Sequence, residues 1–104
     1  MGIAIEEVAT QLIHEAIDEM NQMRSEDMKI SKETDTRLFG SSGILDSLGL
    51  VNLIALIEEK CENRFGYMAS IVENLDRYDD VKPFENIRSL VAFISTIQRQ
   101  AGKE

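Results

Sequence analysis

Tryptophan is absent from this sequence, and cysteine, proline and histidine occur once each. A lone Cys61 permits no internal disulfide and no zinc site built on cysteines. One proline and six glycines exclude collagen-like and low-complexity chains. Without tryptophan, and with aromatics at 6%, the core is left to Leu, Ile, Val and Met, which points to helices. Basic residues are scarce too: eleven stand against nineteen acids, for a net charge of −8. That argues against nucleic acid, which requires clustered Lys and Arg, and against an anionic membrane surface. An acidic chain is better matched to basic patches on other proteins. The longest apolar runs, 53–57 and 90–94, are five residues each, far short of the ~18–20 of a membrane span. Glu6 and Glu7 stand where a signal peptide carries bases, and Glu6 where myristoylation after Gly2 needs Ser or Thr. The expectation is a soluble, cytoplasmic monomer.

What is present is enough for a core. With 104 residues and 43% hydrophobic content, the expectation is a single domain over 1–104. Ile5, Val8, Ala9, Leu12, Ile13, Ala16, Ile17 and Met20 recur at helical spacing. Leu50, Leu53, Ile54, Ile57 and Cys61 form a second stripe, within a helix expected over 48–61. Ile87, Leu90, Val91, Ile94 and Ile97 form a third. No segment alternates with period two over a useful length, so the fold class is all-α.

Between the first two helices lies a connection over about 25–45, rich in Ser, Thr, Asp and Gly and closing on Gly40-Ser41-Ser42-Gly43. Loops this long are often functional. Met28, Ile30, Leu38, Phe39, Ile44 and Leu45 are expected to pin it to the core. Farther on, Met68, Ile71, Val72 and Leu75 give one helical face, so a short helix is expected within 67–82, and Pro83 suits the first turn of another. The acidity is uneven: residues 1–30 hold seven acids and two bases.

Catalytic constellations are missing, and a non-enzyme is expected. His14 lies among acids on the polar side of the first helix and reads as a solvated surface residue. Gly40-Ser41-Ser42-Gly43 lacks the Gly-x-Ser-x-Gly spacing of a nucleophile elbow. Asp35 to Asp46 has the length of a calcium loop without its carboxylates, and no metal site is expected. Glu58-Glu59 and Asp79-Asp80 are adjacent on presumed helices, so their carboxylates diverge.

The informative place is Asp46-Ser47-Leu48. Asp46 or Ser47 suits an N-cap, because a side-chain oxygen there satisfies the first free N–H groups of a helix. The helix that follows is apolar nearly all round, from Leu48 to Ile57, and a small domain cannot bury every side of it. Leu48, Val51 and Ala55 lie opposite the core stripe, and some of them should be exposed beside the Ser47 hydroxyl. An exposed apolar strip of this kind is a contact surface.

Leu38-Phe39-Gly40, Leu45-Asp46-Ser47-Leu48, Leu53-Ile54, Ile57-Glu58-Glu59 and Arg64-Phe65-Gly66 together resemble the acyl carrier proteins and related peptidyl carrier domains. The resemblance covers nearly the whole chain. It implies a four-helix bundle: first helix, long loop, serine-bearing second helix, short third helix and a closing helix over 87–98, with room for one extra short helix in 67–82. It further implies that a phosphopantetheinyl transferase esterifies Ser47 with 4′-phosphopantetheine taken from coenzyme A. The arm's thiol would then hold acyl or aminoacyl groups as thioesters, in fatty acid, polyketide or nonribosomal peptide biosynthesis. Asp46 would help to orient the modifying enzyme. Leu48, Val51, Ala55 and Glu58 would meet partners such as an acyl- or aminoacyl-activating enzyme, an acyltransferase or a ketosynthase.

The sequence departs from the family's pattern in three places. Gly49 and Asn52 replace acids common two and five residues after the serine, which implies dedicated partners rather than the general fatty-acid enzymes, and a gain from Gly49→Asp with Asn52→Glu. Cys61 stands where an aromatic is common and is expected to be buried and inert. The 67–82 segment is longer than usual. The competing expectation is an unmodified helical interaction module with the carrier fold, Asp46 and Ser47 acting as caps alone.

Overall fold

The computed structural model describes residues 4–40, 43–66 and 82–102. Three helices, α1 (Ile5–Asn21), α2 (Ser47–Phe65) and α3 (Ile87–Gly102), carry the fold, with single 3₁₀ turns at Glu26–Met28 and Lys82–Phe84. No strand occurs among the described residues; Arg37 and Asn86 form one isolated bridge. The described part of the chain is therefore all-helical. The short helix expected within 67–82 lies, but for Lys82, outside the described residues, whereas Pro83 does sit in a helical turn.

The three stripes meet in one core. α1 supplies Ala9, Leu12, Ile13, Ala16 and Ile17, and α2 supplies Leu53, Ile54, Ile57 and Cys61. α3 adds Ile87, Leu90, Phe93, Ile94 and Ile97, and α1 packs against both other helices. Their rims are tied by ions: Arg64 reaches Glu15 at 3.1 Å and Gln11 at 2.8 Å, Lys60 pairs with Glu19, Lys32 with Asp18 and Arg99 with Glu6. The acidity of α1 thus largely faces bases brought by its neighbours. Exposed pairs contribute only about 0–1 kcal/mol each, so they set register more than stability.

Helix ends follow from their caps. α2 runs past the expected 48–61 because its stop signal is Gly66, whose φ of 78° and N–H bond to the Glu62 carbonyl close it in left-handed geometry. α3 starts on a reciprocal cap: the Ser89 N–H donates to Asn86 Oδ1 (2.8 Å) and the Asn86 N–H to Ser89 Oγ (3.2 Å). It continues beyond 98 to Gly102, since no glycine or proline interrupts it sooner.

The long connection is pinned by Ile30, Leu38 and Leu45, all buried, with Phe39 and Ile44 half-buried against the core. Met28 departs from expectation: it ends the 3₁₀ turn on the surface and is 47% exposed. The chain turns inward two residues later, where Asn21 both donates to the Ile30 carbonyl (2.9 Å) and accepts from its N–H (2.8 Å). His14 is half-buried at the edge of the α1 stripe rather than fully solvated.

Candidate functional site

Backbone bonds carry the loop from α3 to the start of α2. The Leu38 N–H donates to the Glu85 carbonyl (2.8 Å), and the Leu45 N–H donates to the Leu38 carbonyl (2.8 Å). Gly43 allows the tight return, since a Cβ there would stand 2.5 Å from the Phe39 backbone. Asp46 follows in extended conformation and caps α2, its Oδ1 accepting from the Gly49 N–H at 2.7 Å. The cap is therefore Asp46, and Ser47 is the first helical residue.

Ser47 is exposed. Leu48 is 70% and Val51 60% exposed, and Ala55 is exposed one turn farther on. These apolar groups stay in water while Leu53, Ile54 and Ile57 take the core, as the stripe predicts. Glu58 is half-buried instead of standing free on the strip. It is one turn from Cys61, where burial first and the Glu58 carboxylate second push the thiol up from 9.0 to about 11. At neutral pH Cys61 is a buried thiol with almost no thiolate, and so a poor nucleophile.

Gly49 corrects the sequence reading. It is buried, and a Cβ at this position would meet Leu45 Cδ2 at 3.1 Å and Asp46 Oδ1 at 3.2 Å. An acid here would not face a partner; it would crowd Leu45 and set a second carboxylate against the capping one. Asn52, in contrast, is exposed. Overpacking costs about 1–3 kcal/mol and an acid near a helix start returns about 0.3–1 kcal/mol. Gly49→Asp is therefore expected to lose about 1 kcal/mol in urea denaturation; a variant more stable than the parent would contradict this packing.

A groove of about 700 Å³ runs between the end of α1 and the first turns of α2, with Met20 and Met23 on one side and Leu48, Gly49, Asn52 and Leu56 on the other. Its volume falls within the ~300–1,000 Å³ of small-molecule sites. The sequence stripes did not reveal it, because it depends on where Met23, 90% exposed, leaves the end of α1. Among the described residues no group of His, Cys, Asp and Glu is placed to hold a metal, and no helix is long and apolar enough to cross a membrane. In comparisons with family models, curated proteins and solved structures, nothing matches this chain.

Proposed function

We propose that this chain is a carrier protein of the acyl carrier type, an acyl-carrier-like four-helix bundle that carries 4′-phosphopantetheine on Ser47 and performs no reaction of its own. One observation carries the reading: an exposed serine is the first residue of a helix of 19 residues, beside an apolar strip left in water. A serine in this position can enter another protein's active site without unfolding. Leu48, Val51 and Ala55 offer that protein apolar area at the same end of the helix.

The residues present suit the group. The Ser47 hydroxyl is accessible, and the positive end of α2 favours a phosphodiester anion by about 0.3–1 kcal/mol. Asp46 already draws on that positive end through the Gly49 N–H, so the gain falls at the low end of this range. In loading, Ser47 Oγ attacks the pantetheine-side phosphorus of coenzyme A and gives its proton to a base of the transferase. The phosphorus–oxygen bond to the nucleotide half breaks, and that half leaves. The bound group supplies a terminal thiol that holds acyl or aminoacyl cargo as a thioester. The chain's own part is to hold Ser47 at a fixed helix start and to dock successive partners: the transferase, an acyl- or aminoacyl-activating enzyme, and an acyltransferase or ketosynthase.

Incubation with coenzyme A and a broad-specificity phosphopantetheinyl transferase is expected to add the mass of one phosphopantetheine group to the intact protein. Ser47→Ala is expected to abolish the gain while leaving helical circular dichroism unchanged, since Ser47 contributes no cap. Wild-type protein that stays unmodified under conditions that load a known carrier would favour the unmodified interaction module.

A further inference from the structure

We draw no further inference here: the strongest candidate, the groove between the end of α1 and the first turns of α2, carries nothing, because its charged lining residues Glu19, Arg24 and Asp46 are already bonded to Lys60, the Met28 carbonyl and the Gly49 N–H and nothing in the structure shows what covers its exposed Met23 and Leu48.

Discussion

Phe84→Ala is expected to remove about 3–5 kcal/mol of folding stability, a large share of the ~5–15 kcal/mol typical of a domain. Phe84 is 1% exposed, and its ring meets Phe93 edge-on at 5.4 Å between centroids. It sits in the turn before α3, next to Glu85, whose carbonyl accepts from the Leu38 N–H. Leu38 in turn accepts from Leu45, one residue before the α2 cap. A cavity at Phe84 would thus loosen the loop that fixes Ser47 as well as the core. Urea denaturation gives the size of the loss, and faster amide exchange at Leu38 and Leu45 gives its location. A loss below about 1 kcal/mol would show that the ring is not the anchor of this turn.

Leu53→Ala is expected to cost about 2–5 kcal/mol, because Leu53 is 1% exposed and belongs to the single buried core cluster. Leu48→Ala, five residues earlier on the same helix, should stay within about 0.5 kcal/mol, as surface substitutions do. The two leucines differ only in the side of α2 that they occupy. If Leu48→Ala unfolded as readily as Leu53→Ala, the buried and exposed faces of α2 would be reversed, and the apolar strip beside Ser47 would not exist.

The face of α2 was legible in the sequence because burial follows the helical period: Leu53, Ile54, Ile57 and Cys61 form one stripe, and Leu48, Val51 and Ala55 fall opposite. The cap was legible from residue type only as Asp46 or Ser47, and the structure assigns it to Asp46. Features that depend on distant parts of the chain were not. Gly49 stands at a place where an acid is common in the carrier family, yet it is buried, with Leu45 and Asp46 close over it. Met28 and Ile30 both looked like anchors, but only Ile30, held by the Asn21 clamp, is buried. The pairing of the α1 acids with Lys60 and Arg64 joins residues some 40 or more positions apart, and no local spacing encodes it. The groove arises in the same way, from two helices that meet only in the fold.

Peptide mapping of the transferase-treated protein by tandem mass spectrometry tests the carrier assignment most directly. The predicted result is a single phosphopantetheine group on the peptide containing Asp46-Ser47-Leu48, with the fragment ions placing it on Ser47. A group on Ser41 or Ser42 instead, or a chain left wholly unmodified beside a carrier that loads, would contradict it.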